Sequence, residues 1–170
     1  MNRLVIGALA LALALPGNAS TVLAALGPPW ISIEYPVNPY DQGTRDAFLM
    51  VHAFHHGTPT AFPVAGTAEG MVRGERKSVS LEFRATSRPG VYALKRQWPT
   101  EGTWTLVVSV TQGPDDAVYA IIDLGADGLV ASVRVPTRVE NGYTLPAKLA
   151  MNAVDASLRA RAQASSVGIR

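Results

Sequence analysis

The stretch that decides the fold is GVYALKRQWPTEGTWTLVVSV, residues 90–110. Its second half alternates apolar and polar side chains, which is the period of a β-strand with one buried face. Tyr92 is the aromatic anchor of the first half and Trp104 that of the second, and Pro99 and Gly102 lie between them. We therefore predict two β-strands joined as a hairpin, with both aromatic side chains in a hydrophobic core.

Short runs of the same kind flank this stretch on both sides. Clusters of Gly, Pro, Asn and Asp separate them about every 8–12 residues, a spacing typical of all-β domains. Parallel strands would need crossover connections, usually helical, and no helical pattern lies between the runs. The sequence predicts an all-β fold, an antiparallel β-sandwich of 7–8 strands. The other predicted strands are residues 30–35, 46–54, 66–72, 77–83, 117–124 and 129–135. We predict that the last two form a second hairpin, because the Asp127-Gly128 pair between them supplies the positive φ angles of a tight turn.

The C-terminal part of the chain has a different period. Thr144 is suited to an N-cap and Pro146 to a first helical turn, so we predict an added C-terminal α-helix over about residues 146–162. We expect its apolar face to pack on the sandwich, with projection as a partner-binding segment as the alternative. Its apolar residues recur at spacings of four, three and four: Ala147, Met151, Val154 and Leu158.

The N-terminus has the pattern of a cleavable signal peptide. Arg3 precedes an apolar run over residues 4–15, which is short for a membrane span, and Val22-Leu23-Ala24 suits a cleavage site. The alternative is an uncleaved N-terminal anchor. No later segment is apolar enough to cross a membrane, so we expect a periplasmic or secreted protein. The predicted organisation is a signal peptide over 1–24, a β-sandwich over 25–140, and a C-terminal helix and tail over 141–170.

Composition excludes several kinds of chemistry. The chain has no cysteine, so neither disulfides nor thiol catalysis nor cysteine-bound zinc is possible. Its formal net charge is only +2, and the basic residues are interleaved with glutamates. A nucleic-acid partner is therefore not expected.

The glycine and aromatic spacing of the opening stretch resembles a family signature. The spacing is Gly90-x-Tyr92, then Gly102-x-Trp104-x-Leu106-x-Val108. It is similar to the pattern of YtkA-like and FixH-like domains, and the order of predicted strands extends the resemblance over roughly residues 30–112. That resemblance implies a small bacterial extracytoplasmic β-sandwich of immunoglobulin-like type. A cleavable signal and an added helix depart from the FixH-like pattern, so a role in membrane cation transport does not follow.

The three histidines lie close together in the sequence, as His52, His55 and His56. Imidazoles bind copper and zinc, and Met50 lies nearby, so these residues form a candidate metal site. On a continuous strand His52 and His56 would share a face about 13 Å apart, with His55 on the other face. Convergence on one ion would need the strand to end at Phe54. The alternative interpretation of His52 is a core-edge side chain bonded to one polar neighbour.

No catalytic motif is recognisable. The 13 carboxylates are scattered, and the chain lacks both a Gly-x-Ser-x-Gly elbow and a phosphate-binding glycine loop before a helix. We therefore expect a non-enzymatic binding or accessory module of the cell envelope, whose partner is another envelope or secreted protein. Contact would be made through an exposed strand edge or the C-terminal helix. The alternatives are a periplasmic copper- or zinc-binding protein and, third, a small hydrolase whose site the sequence does not show.

Overall fold

The computed structural model describes residues 27–167, with side chains as far as residue 164. The predicted signal peptide, residues 1–24, lies outside the described residues. One helix, α1, follows the strands and spans Met151–Val167. The strands, in chain order, are β1 (Trp30–Glu34), β2 (Leu49–His55), β3 (Thr58–Pro59), β4 (Val64–Val72), β5 (Glu75–Ser80), β6 (Phe83–Ala85), β7 (Val91–Leu94), β8 (Thr103–Thr111), β9 (Ala117–Leu124), β10 (Val130–Arg134), β11 (Thr137–Glu140) and β12 (Tyr143–Pro146).

The strands form two five-stranded antiparallel sheets and a separate hairpin. Sheet A has the order β1-β2-β7-β6, with β3 also paired to β2, and sheet B has the order β10-β9-β8-β4-β5. Strands β11 and β12 pair only with each other within residues 27–167. The predicted all-β antiparallel sandwich with an added C-terminal helix is confirmed, but its two sheets contain ten strands instead of the predicted 7–8.

The hydrophobic core lies between the two sheets, where the alternation predicted it. Trp104, Leu106 and Val108 of β8 are buried there, and Val51 and Leu94 of sheet A lie opposite them. Burying side chains of this size stabilises the fold by about 1.5–3 kcal/mol each. The residues that alternate with them on β8 point to the outer face of sheet B.

The prediction of a hairpin within residues 90–110 is wrong. Strand β7 pairs with β2 and β6 in sheet A, whereas β8 pairs with β4 and β9 in sheet B. Residues 95–102 therefore cross the sandwich, and they are too many for a tight turn. Trp98 is buried in the core on the way, and the Arg96 guanidinium carbon lies 5.4 Å from its ring centre. Tyr92 and Trp104 therefore belong to strands of different sheets instead of to two paired strands of one hairpin.

The helix begins later than predicted. Thr144 and Pro146 belong to β12 instead of capping a helix, which starts at Met151. Asn141 and Gly142 both have positive φ angles, of 51° and 80°, as a two-residue hairpin turn requires. This turn makes β11 and β12 a hairpin, and the predicted domain boundary between residues 140 and 141 falls inside it.

Helix α1 packs on the outer face of sheet B, as its apolar periodicity predicted. Val154 is buried against Val107 of β8 and Ile121 of β9, and Leu158 is fully buried. The helix thereby makes the outer face of sheet B a second, smaller interface in addition to the core between the sheets.

Candidate functional site

A row of polar side chains crosses the outer face of sheet B, partly beneath α1. Each residue is the direct cross-strand partner of the next, so their side chains lie side by side on one face. The carboxylates are 5% exposed at Glu69 and 7% exposed at Asp123. In strand order from β5 to β10, the polar row is Ser78, Glu69, Thr105, Asp123 and Ser132.

Asp123 is the most heavily bonded residue of the polar row. Its Oδ1 accepts a hydrogen bond of 2.8 Å from the Thr105 hydroxyl and lies 3.0 Å from a guanidinium nitrogen of Arg161 in α1. Its Oδ2 accepts bonds from Arg134, at 2.9 Å, and Ser132, at 3.2 Å. Burial opposes ionisation of Asp123, but these hydrogen bonds and positive charges outweigh it and hold its pKa below the ordinary value.

Glu69 has an equivalent arrangement at the other end of the polar row. Its Oε1 accepts a 3.0 Å bond from the Ser78 hydroxyl, and its Oε2 lies 2.6 Å from Nη1 of Arg76. The same arginine reaches Asp155 of α1 at 2.7 Å. Burial opposes the charge of Arg76, but its two carboxylate partners raise its pKa above the ordinary value.

This geometry determines what the polar row can do. Asp123 is bonded to two arginines and two hydroxyls, which favour its ionised form over a form that carries a transferable proton. A general acid would need the opposite, an apolar site that raises the carboxyl pKa. The polar row is accordingly a network that connects sheet B to α1.

His52 lies on the outer face of sheet A, away from the core. Its Nε2 is 2.8 Å from Oε2 of Glu34 on β1, and its ring lies nearly parallel to that of Phe54, with ring centres 6.2 Å apart. This is the single polar neighbour that the alternative interpretation of His52 proposed. Phe54 and His52 are half-buried, whereas Val51, on the opposite face of β2, is fully buried in the core.

His55 and His56 lie together at the end of β2. Their ring centres are 4.3 Å apart, and His55 also packs edge-on against Phe62, with ring centres 6.0 Å apart. His56 has a positive φ of 48°, so the chain does turn back after β2. Within residues 27–164, no group of three or more His, Cys, Asp or Glu side chains is arranged to hold a metal ion. The histidines are thus divided between a His55–His56 pair and His52 with Glu34.

The separation of His52 from His55 and His56 predicts how the substitution of His52 affects copper and zinc binding. We expect titration with Cu(II) or Zn(II) to give the same binding curve for the wild type and for His52→Ala, because Glu34 already engages His52. Isothermal titration calorimetry of the purified mature chain measures this, with His55→Ala and the triple His→Ala variant beside it. Loss of metal binding in His52→Ala would show instead that all three imidazoles act together.

Most residues of the β11–β12 hairpin are exposed. Val139 is 77% exposed and Tyr143 is 72% exposed, although apolar and aromatic side chains usually lie inside. The pairing register places Val139 on one face of the hairpin and Tyr143 on the other, beside Arg138 and Leu145. At its foot, Pro146 is buried, which fixes the hairpin to the sandwich.

A cleft of 540 Å³ lies at the foot of the hairpin. Arg138 and Leu145 form one side, and Asp115 and Asp116 of the β8–β9 turn form the other. Lys148, just after β12, lines it as well. The cleft therefore continues the Tyr143 face of the hairpin as a surface that combines apolar area with charges of both signs.

Sequence reasoning missed both the β11–β12 hairpin and the polar row. The pair Asn141-Gly142 is a strong hairpin signal that could have identified β11 and β12, since both residues tolerate positive φ. The polar row had a weaker signal, the outward parity of Ser78 and Thr105. Nothing in the sequence showed that a distant helix covers it.

Comparisons with protein-family models, with curated proteins and with solved structures found no match to this chain.

Proposed function

We propose that this chain is an exported, non-enzymatic binding module of the cell envelope that contacts another envelope protein through the β11–β12 hairpin. The observation that carries the proposal is the 72% exposure of Tyr143 on a hairpin that is separate from both sheets. A large, exposed aromatic side chain is a typical anchor of protein–protein interfaces. We name the Tyr143 face of the hairpin, with Arg138, Leu145 and the cleft, the hairpin surface.

The rest of the fold favours the hairpin surface over the C-terminal helix. The apolar residues Val154 and Leu158 of α1 are buried against the chain's own sheet B, so they are not available to a partner while α1 is docked. A two-stranded hairpin in water has little stability of its own, and its outer edges offer backbone groups for pairing. Protein contacts would order it further.

Export is supported by the sequence of the N-terminal segment. A short apolar run after one arginine, followed by small residues, is typical of secretory signals, and the absence of cysteine is compatible with an oxidising compartment. In the described part of the chain, no helix has both the length and the apolar character needed to span a bilayer.

Capture from envelope extract tests the proposal. We expect Tyr143→Ser to reduce recovery of a bound envelope protein about tenfold or more, as loss of an interface anchor does. Tyr40→Ser is the matched control, because Tyr40 is 90% exposed in a turn elsewhere on the molecule. Thermal unfolding of both variants should match the wild type. Equal recovery by the two variants would contradict the proposal.

The alternative function, a periplasmic copper or zinc protein, is supported by the proximity of the His55 and His56 rings. Two imidazoles leave further ligands to be supplied, since zinc in proteins is almost always four-coordinate. The titration with His52→Ala, His55→Ala and the triple variant separates this alternative from the hairpin proposal, because none of the substituted residues lies on the hairpin surface.

A further inference from the structure

The contact between α1 and sheet B has a small apolar part. Val154 and Leu158 are the buried apolar residues of the helix, and Val107 and Ile121 lie beneath Val154. Met151, at the start of the helix, is 40% exposed. The helix also forms ionic contacts with side chains of sheet B, which distinguish this interface from the core between the two sheets.

Two ion pairs connect the helix to the polar row. Arg161 lies 3.0 Å from Oδ1 of Asp123 and also donates to the Thr105 hydroxyl and, at 3.1 Å, to the Leu124 carbonyl. Near the other end, Asp155 accepts a 2.7 Å bond from Arg76. Arg161 and Asp155 of the helix thus each bond a side chain that already has a partner on sheet B.

The carboxylates of the polar row keep their sheet partners without the helix. Asp123 retains Arg134, at 2.9 Å, and Glu69 retains Arg76, at 2.6 Å. An uncompensated buried charge is the main cost of breaking a buried ion pair. That cost does not arise for either carboxylate when α1 leaves, because both stay paired and become hydrated.

The C-terminal half of α1 does not lie flush on the sheet. A cleft of 330 Å³ opens beside this half of the helix, and Arg161, Ala164, Ser132 and the start of the β9–β10 turn line it. Water can therefore reach the Asp123 end of the polar row beside the helix. The polar contacts of Arg161 can therefore be exchanged for water, whereas release also has to expose Val154 and Leu158.

We propose that α1 is a releasable cover over the polar row, which leaves sheet B as a unit while the sandwich stays folded. Release exposes a line of two carboxylates and three hydroxyls with Arg76 and Arg134 at its ends. This device is independent of the hairpin surface and goes beyond the proposed function.

Hydrogen exchange of the full mature chain measures the release directly. Peptides from Met151–Val167 are expected to exchange at least about 100-fold faster than those from Thr103–Thr111, because helix opening does not require global unfolding. Equal protection of the helix and of β8 would overturn the proposal, since α1 would then leave only with the whole fold.

A pair of arginine variants tests the ionic origin of the release. Arg161→Met keeps an apolar stem and removes the charge that faces Asp123, so exchange of the α1 peptides should rise about tenfold while β8 changes much less. Arg159→Met is the matched control, because Arg159 is exposed on the same helix. The same rise in both variants, or a parallel rise in β8 for Arg161→Met, would contradict the proposal.

Discussion

Replacing Trp104 with alanine is expected to lower the free energy of unfolding by about 4 kcal/mol, as removal of a large buried side chain does. Trp104 is 3% exposed, and its Nε1 donates a 2.8 Å hydrogen bond to the Glu101 carbonyl. Its ring lies over Gly70 of β4, where an added Cβ would come within 2.5 Å of ring carbons. Gly70 has no side chain that could fill the space that the ring leaves.

Urea unfolding followed by circular dichroism measures this loss. Trp30→Ala is the matched control, because Trp30 lies on the outer face of sheet A with 38% of its surface exposed. We expect that variant to lose about 1 kcal/mol or less. Similar losses for both tryptophan variants would contradict the placement of Trp104 in the core.

Asp123→Asn is expected to cost about 3 kcal/mol at neutral pH, because it leaves Arg161 half-buried without its charge partner. The variant keeps the shape of the side chain, so the loss reports charge instead of packing. Asp115→Asn is the matched control, since Asp115 is exposed in the β8–β9 turn. Chemical unfolding at neutral pH gives both values, and a loss of under about 0.5 kcal/mol in Asp123→Asn would contradict the account.

The difference in unfolding free energy between the wild type and Asp123→Asn depends on pH, in a direction that the pKa of Asp123 determines. The folded-state pKa of Asp123 lies below its ordinary value of 3.8, so the unfolded chain takes up the proton first as pH falls. The stability that Asp123 contributes is therefore present above pH 3.8 and is lost as the pH drops towards its folded-state pKa. The wild type and Asp123→Asn should differ by a constant amount above about pH 5 and converge in acid.

Strand parity was the most reliable source of prediction. Side chains two apart on a strand point the same way, so Trp104, Leu106 and Val108 were assigned to the core without knowledge of any partner strand. The β9–β10 hairpin was predicted equally well because Asp127-Gly128 ends its turn. The buried face of a strand and a tight turn both follow from the backbone geometry of residues that are close in sequence.

Pairing between strands was harder to predict, because it depends on contacts that are distant in sequence. Residues 90–110 contain two strands, but their connection contains Trp98, whose burial draws residues 95–102 across the core. The helix start was misplaced because Thr144 and Pro146 suit a helix cap as well as a strand. The Asn141-Gly142 turn settles that choice in favour of a strand, because it pairs residues 143–146 with β11.

The polar row could not be predicted for the same physical reason. Alternation gives the face of Thr105 but not what covers that face, and the arginine of one ion pair lies 79 residues from its carboxylate, as Arg76 does from Asp155. The histidines show the opposite case, in which residues close in sequence do not come together in space. Adjacency in sequence suggested a common site, but alternation along β2 and the Glu34 contact separate His52 from His55 and His56.

Photo-cross-linking in intact cells tests the central claim, that the hairpin surface binds an envelope protein. A photoreactive amino acid is placed at position 143 in one variant and at position 40 in the control, since both positions carry exposed tyrosines. We predict a discrete adduct with one envelope protein from position 143 and none from position 40. No adduct from position 143, or the same adducts from both positions, would contradict the claim.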